Sequence, residues 1–93
     1  MSAETTAARI ERLLRDGLTP IRFELHDDTV LHAGHAGAAA GGGYYRVLIV
    51  SAAFEGLSRI EQHRLVHETL GPMIGAEIHA LSLRTLTPGE SRT

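Results

Sequence analysis

The 93-residue chain contains no cysteine and no tryptophan. Without cysteine it cannot form a disulfide scaffold, a CxxC redox centre, a thiolate zinc finger or an iron–sulfur site built only from its own thiolates. No apolar run approaches the roughly 20 residues that cross a bilayer. The polar, periodic N-terminal segment also lacks the apolar core of a signal peptide. We therefore expect a single domain over residues 1–93 that is cytoplasmic and makes no membrane contact.

The chain also has little excess of either positive or negative charge. The formal net charge is −2, which disfavours nucleic-acid binding through bulk electrostatics. What the chain does contain is histidine, with six residues against only two Phe and two Tyr. Histidine binds metals and exchanges protons near neutral pH. These residues are therefore the first candidates for a functional site, although exposed histidines without a function are the commoner case.

Hydrophobic patterning predicts six elements in the order α-β-β-α-β-α. Ile21–Asp27 alternates apolar and polar residues, as a half-exposed strand does. The continuous Val47–Val50 run marks Tyr44–Ser51 as a central strand, and Ile78–Thr85 is predicted as a third strand. A short helix and tail at 87–93 end the chain. We predict an α+β two-layer sandwich whose helices cover one face of a three-stranded mixed sheet.

The first helix is predicted over Ser2–Asp16. Ser2 is the candidate N-cap, and Gly17 is the candidate left-handed residue at the C-terminal end. Spacing of three and four residues predicts an apolar face that packs on the sheet. Its members are Ala3, Ala7, Ile10, Leu13 and Leu14.

The second helix is predicted to begin at Ser58, which forms a capping box with Glu61. Gly71-Pro72 is expected to kink or end it, because proline removes a helical hydrogen bond. We expect Ile60, Val66 and Leu70 to be buried, and Arg59, Gln62 and His63 to be less buried.

A segment at 28–43 separates the first two strands and contains five of the ten glycines. A loop of this length is usually functional or mobile, and we expect it to be the most mobile part of the domain. It carries His32 and His35, which can approach one metal ion together. Two imidazoles fall short of the three or four protein ligands that zinc takes, and Asp27 or Asp28 is the nearest candidate for a third ligand.

His79 lies at the start of the third strand. By strict alternation it shares a face with Leu81 and Leu83, so it is either half-buried and structural or lies at the rim of the sheet. No pattern predicts catalysis. The serines lack a G-x-S-x-G context, and no glycine-rich stretch ends as a phosphate-binding loop does. We therefore do not expect an enzyme.

Arg59, His63 and Arg64 form the candidate nucleic-acid surface on the second helix. Such side chains can contact phosphates. Acidic residues alternate with these basic ones, however, which favours an ordinary solvated helix face.

Six short motifs resemble the BolA family and span about residues 8–90. Each is weak singly, but six in the same order are specific. They are His32-Ala-Gly-His35-Ala-Gly, Val47–Ser51, Phe54-Glu-Gly-Leu-Ser58, His63-Arg-Leu-Val66, Ile78-His-Ala-Leu81 and Leu86-Thr-Pro88. Two residues depart from the family pattern. Tyr44 stands where many members have histidine, and Gln62 stands where arginine usually precedes the His63-Arg64 pair.

The resemblance implies a fold similar to class II KH domains and two functions from different classes. One is partnership with a monothiol glutaredoxin around a bridging 2Fe–2S cluster, in iron–sulfur trafficking or iron sensing. The other is a DNA-binding transcriptional regulator that binds duplex DNA through the 58–70 region. The GxxG loop of KH domains is absent, because Gly56 is followed by Leu57, Ser58 and Arg59.

The chemistry of iron–sulfur clusters favours the first function. Two histidines can replace two cysteines on one iron when the other iron keeps its thiolates. A glutaredoxin cysteine and a glutathione thiol would complete the ligand set, so cluster binding has to be heteromeric. We expect no cofactor in the isolated chain, and a monomer or weak homodimer when it is free.

The resemblance also implies the ligands. His79 matches the family histidine at the start of the third strand. When residues are counted forward from Asp27-Asp28, His32 falls at the family position of the loop ligand. When they are counted back from Arg46, His35 falls there instead. The Ala/Gly stretch after His35 looks like an insertion, so we prefer His32 and keep His35 as the alternate.

Overall fold

The structure is a computed structural model that describes residues 4–29 and 43–92. The elements are α1 (Thr6–Leu18), β1 (Arg22–Asp27), β2 (Gly43–Val50), α2 (Arg59–Leu70), β3 (Ile78–Leu86) and α3 (Pro88–Ser91), with short 3-10 turns at Ala52–Phe54 and Gly71–Met73. The predicted α-β-β-α-β-α order is confirmed. In the described part of the chain, no helix combines the length and the apolar character that a bilayer span needs.

β2 is the central strand of a three-stranded mixed sheet. β1 pairs antiparallel along one side of β2, and β3 pairs parallel along the other. A parallel pair needs a crossover connection, and α2 lies in the segment that carries the chain from β2 to β3. The sheet type and the central position of the second strand agree with the prediction.

The odd-numbered residues of β2 face the core. Tyr45, Val47 and Ile49 are all buried, as the two-residue period of a strand requires for one covered face. Their even-numbered neighbour Arg46 is exposed, as is Ser82 opposite it on β3. We call this second side of the sheet the open face. The core also contains Ile10, Leu14 and Leu18 of α1 and Val66 and Leu70 of α2.

α1 begins later than the sequence pattern predicts. Its N-cap is Thr5, whose Oγ1 accepts a hydrogen bond from the Ala8 N–H at 3.1 Å. Ser2, the predicted cap, lies outside the described residues, and Glu4 is not helical. The prediction was wrong because serine and threonine are both suitable N-cap residues. Only the hydrogen bond identifies Thr5 as the residue that caps the helix.

α1 also ends differently. The left-handed residue is Thr19, with φ of 40°, and not Gly17. A Cβ on Gly17 would lie 2.6 Å from Thr69 Cγ2 of α2, closer than real Cβ contacts. Glycine at position 17 therefore serves the close packing of α1 against α2 and does not end the helix.

The predicted buried face of α2 is right at two of its three positions. Gln62, Val66 and Leu70, spaced four residues apart, are 7%, 0% and 1% exposed, whereas Ile60 is 63% exposed. Burial of Val66 and Leu70 is confirmed, but the predictions that Ile60 is buried and Gln62 is not were wrong. Ile60 precedes Gln62 by two residues, about 200° around a helix, so the two side chains lie on opposite sides.

Gln62 is buried with its amide fully hydrogen-bonded. Its Nε2 donates to the Leu57 carbonyl at 3.1 Å and the Phe54 carbonyl at 3.4 Å, and its Oε1 accepts from the Thr85 hydroxyl at 2.6 Å. A buried amide costs little when each group has a partner. Gln62 therefore links α2 to β3.

The predicted capping box at Ser58 is present, and a second one forms at Thr87. The Ser58 hydroxyl accepts from the Glu61 N–H at 3.2 Å, and the Glu61 carboxylate accepts from the Ser58 N–H at 2.8 Å. Thr87 and Glu90 make the same pair of bonds at α3. The backbone hydrogen bond from each cap residue lowers the pKa of Glu61 and of Glu90. Gly71 ends α2, as predicted.

Candidate metal-ligand site

His79 lies at an irregularity in the pairing of β2 with β3. Gly43 is opposite Ile78, but the next residue, Tyr44, is opposite Ala80. His79 is therefore an extra residue without a partner across the ladder, which is the arrangement of a β-bulge. Bulges change the direction in which a side chain points.

The bulge brings His79 away from the core. Ile78 and Leu81 both contact the core although they are three residues apart, whereas regular alternation puts such residues on opposite faces. His79 is exposed and does not share the core-facing side of Leu81 and Leu83. The prediction from alternation was wrong because it assumed an unbroken two-residue period.

The imidazole of His79 lies against the ring of Tyr44. The ring centroids are 5.2 Å apart, and the planes are inclined by 53°, a tilted geometry that aromatic pairs favour. The sequence pattern places Tyr44 at the start of the central strand but does not predict this contact. Gly43 is a sequence signal for the bulge, because glycine at a strand position often marks one.

Hydrogen bonds join the two ends of the 28–43 segment beside the rings of His79 and Tyr44. The Thr29 hydroxyl oxygen accepts a hydrogen bond from the Tyr44 N–H at 3.1 Å. The Asp28 N–H donates to the Tyr44 carbonyl at 2.8 Å. The segment that carries His32 and His35 therefore begins and ends next to His79. His32 and His35 themselves lie outside the described residues.

The two aspartates at the start of this segment already have partners. Asp27 Oδ1 accepts from the N–H and the hydroxyl of Thr29 at 3.0 and 2.6 Å. Asp28 pairs with Arg46 at 3.1 Å. A metal ion would have to displace these groups. Within residues 4–29 and 43–92, no group of three or more His, Asp and Glu side chains is placed to hold a metal ion.

These groups fit a partial ligand set better than a complete one. An exposed imidazole offers a nitrogen ligand, and the chain has no thiolate to add to it. Histidines can serve one iron of a 2Fe–2S cluster when thiolates hold the other. Every sulfur ligand would therefore come from another molecule.

The three residues of the candidate nucleic-acid surface differ in accessibility. Arg59 and Arg64 are exposed, whereas His63 is partly buried. Its Nε2 atom is inaccessible and has no hydrogen-bond partner among the described residues. Burial lowers the pKa of His63, and the positive charges of Arg59 and His67 lower it further. The two arginines are thus available to a phosphate, and the histidine favours its neutral form.

This pKa makes the stability of the domain sensitive to mild acid. The unfolded His63 side chain takes up a proton near its ordinary pKa of 6.5, whereas the folded one resists protonation. The free energy of unfolding is therefore expected to decrease as the pH falls below about 6.5, down to the lower folded-state pKa. Thermal unfolding between about pH 7.5 and pH 5.5 measures this decrease.

His63→Gln should make that decrease smaller. His26→Gln is the matched control, because His26 is exposed on β1, and it should leave the pH dependence as in the wild type. An unchanged pH dependence in His63→Gln would contradict this assignment.

Comparison with known proteins agrees with the fold and with the motif order. The profile of the family described as BolA-like protein matches residues 14–90. BolA-like protein 1 of Mus musculus is 36% identical over 91 residues, which cover 98% of this chain and 64% of the mouse protein. BolA-like protein 1 of Homo sapiens is 38% identical over 85 residues, which cover 91% of this chain and 60% of the human protein. The chain therefore spans less than two thirds of these relatives.

A solved structure gives the same result. The BolA domain of SufE1 from Arabidopsis thaliana superposes with a TM-score of 0.82 at 34% identity, covering 96% of this chain and 99% of that domain. Together, the family profile, the identities and the superposition show that the chain belongs to the BolA-like protein family.

Proposed function

We propose that this chain partners a monothiol glutaredoxin and supplies histidine ligands to a 2Fe–2S cluster that the two proteins share, in iron–sulfur trafficking or iron sensing. The observation that carries the proposal is the exposed imidazole of His79, which lies beside both ends of a loop containing two more histidines. The proposed ligands are His79 and His32, with His35 as the alternate to His32.

The donor set supports a shared cluster. The chain has six histidines and no cysteine, so it can complete only an iron that accepts nitrogen ligands. The glutaredoxin would contribute its active-site cysteine, and glutathione would contribute a second thiolate. When bound, the cluster supplies the iron and the redox chemistry, whereas this chain orients its imidazoles.

The short length of chain between Thr29 and His32 supports His32 as the loop ligand. Thr29 is hydrogen-bonded to Tyr44, whose ring contacts His79. His32 follows Thr29 by three residues, a tether of at most about 11 Å of extended chain. A short tether raises the effective concentration of a second ligand. His35 follows Thr29 by six residues, a tether of at most about 22 Å of extended chain, so it stays the alternate.

Anaerobic reconstitution with a monothiol glutaredoxin, glutathione, iron and sulfide tests the proposal. With this chain present, we expect visible absorption and circular-dichroism spectra that differ from those of the glutaredoxin–glutathione cluster alone. The chain should also co-elute with the glutaredoxin in size-exclusion chromatography. The isolated chain is the control and should acquire no cluster, because it has no thiolate. Identical spectra with and without the chain would contradict the proposal.

One observation favours the second candidate, a regulator that binds duplex DNA. Arg59 and Arg64 are exposed on α2 and form no ion pair within the described part of the chain. A regulator of this kind would bind duplex DNA with an affinity that depends on sequence and falls steeply with salt. Weak, sequence-independent binding would remove this candidate.

A further inference from the structure

The orientation of His79 depends on one neighbouring ring. In the described part of the chain, no hydrogen bond or ion pair holds its imidazole, and the aromatic contact with Tyr44 is the interaction that the structure shows. The bulge brings His79 away from the core. An exposed side chain without further contacts would exchange between rotamers. The Tyr44 ring restricts that exchange.

Tyr44 is itself well fixed. Its N–H donates to the Thr29 hydroxyl oxygen, and its carbonyl accepts from the Asp28 N–H. It is paired with Ala80 on β3 as well. The ring that contacts His79 is therefore carried by a backbone held from both sides, so it can act as a rigid support.

We infer that Tyr44 is a positioning residue that holds the His79 imidazole in the orientation needed for ligation. The inference rests on the proposed function for its biological role, but the contact belongs to the free chain. A second imidazole at position 44 would offer another nitrogen ligand beside His79, whereas the tyrosine offers a support for the ring. Cluster binding would then rely on His79 from the sheet together with one loop histidine.

Nuclear magnetic resonance of the free chain tests the contact without any partner protein. In Tyr44→Leu, we expect the His79 ring protons to lose their cross-peaks to the aromatic protons of residue 44. They should also shift towards random-coil positions, because leucine has no ring current. Tyr44→Phe keeps a ring and should keep both signatures. His26 on β1 is the internal control, and unchanged backbone amide shifts at the far ends of β2 and β3, around Ile49 and Thr85, confirm that the variants are folded. Unchanged His79 ring protons in Tyr44→Leu would overturn the inference.

Titration of the variants into the glutaredoxin complex tests the consequence for ligation. The protein concentration at half-maximal spectral change should rise roughly two- to tenfold in Tyr44→Leu, the range expected when one aromatic contact is lost. The spectrum at saturation should stay that of the wild type, because His79 still provides the nitrogen. Tyr44→Phe should titrate as the wild type does. Equal titration midpoints for Tyr44→Leu and the wild type would overturn the positioning role.

The two experiments separate the two claims. If the wild-type chain fails to change the glutaredoxin spectrum, the proposed function fails, and the ring-proton experiment still decides whether Tyr44 orients His79. If the wild type does change that spectrum but Tyr44→Leu leaves the His79 ring protons unchanged, the proposed function stands and the positioning role fails.

Discussion

His79→Ala is expected to abolish or greatly alter the histidine-ligated spectrum that we propose for this chain with a monothiol glutaredoxin. The change removes the exposed imidazole that the sheet presents at the bulge, which is one of the two proposed histidine ligands. Loss of a hydrogen-bonding partner of a metal ligand commonly costs 10–100-fold in affinity, so loss of the ligand itself should cost more than about 100-fold. Titration followed by visible circular dichroism measures the effect.

Other histidine changes provide the controls. His26 and His67 are exposed on β1 and α2, away from the bulge, and His26→Ala and His67→Ala should retain the wild-type spectrum. An unchanged spectrum in His79→Ala would exclude His79 as a ligand. The same result in the His32→Ala, His35→Ala double variant would exclude the loop.

Val66→Asp is expected to be severely destabilising. Val66 is fully buried in the core of the domain, where a carboxylate would have no partner and could not be hydrated. Burying such a group costs on the order of 3 kcal/mol or more, out of a total stability of about 5–15 kcal/mol for a typical domain. The unfolding midpoint should then fall by roughly 12 °C or more, as measured by thermal denaturation.

Ile60→Asp is the matched control for that change. Ile60 lies on the same helix but is 63% exposed, so the same substitution should alter the stability by less than about 0.5 kcal/mol. The pair of variants tests the orientation of α2 directly. If Val66→Asp melted like the wild type, or if both variants were equally destabilised, α2 would not bury the face that contains Gln62, Val66 and Leu70.

The sequence by itself determined which elements form and in what order. The alternation at Ile21–Asp27 and the apolar run at Val47–Val50 predict strands because each pattern follows from local backbone geometry. The capping boxes at Ser58 and Thr87 and the break at Gly71 likewise involve residues within a few positions of each other. Local interactions of this kind can be predicted without knowledge of the tertiary contacts.

The side of α2 that faces the core was decided by the tertiary structure. Ile60 is the more apolar residue, yet Gln62 is buried, because Thr85 and two backbone carbonyls satisfy its amide. Gly17 is a comparable case: its place in the helix depends on the approach of Thr69. Neither partner can be identified from the hydrophobic pattern, because both lie far along the chain.

The sequence determined one part of the candidate site, and the tertiary structure decided the other. The sequence supplied the histidines and, through the resemblance to the BolA family, the selection of His79. Only the structure shows that His79 is exposed at a bulge against Tyr44. The bulge arises where Gly43 and Tyr44 pair with residues more than 30 positions away. A side-chain direction that depends on such non-local pairing is decided only when the sheet assembles.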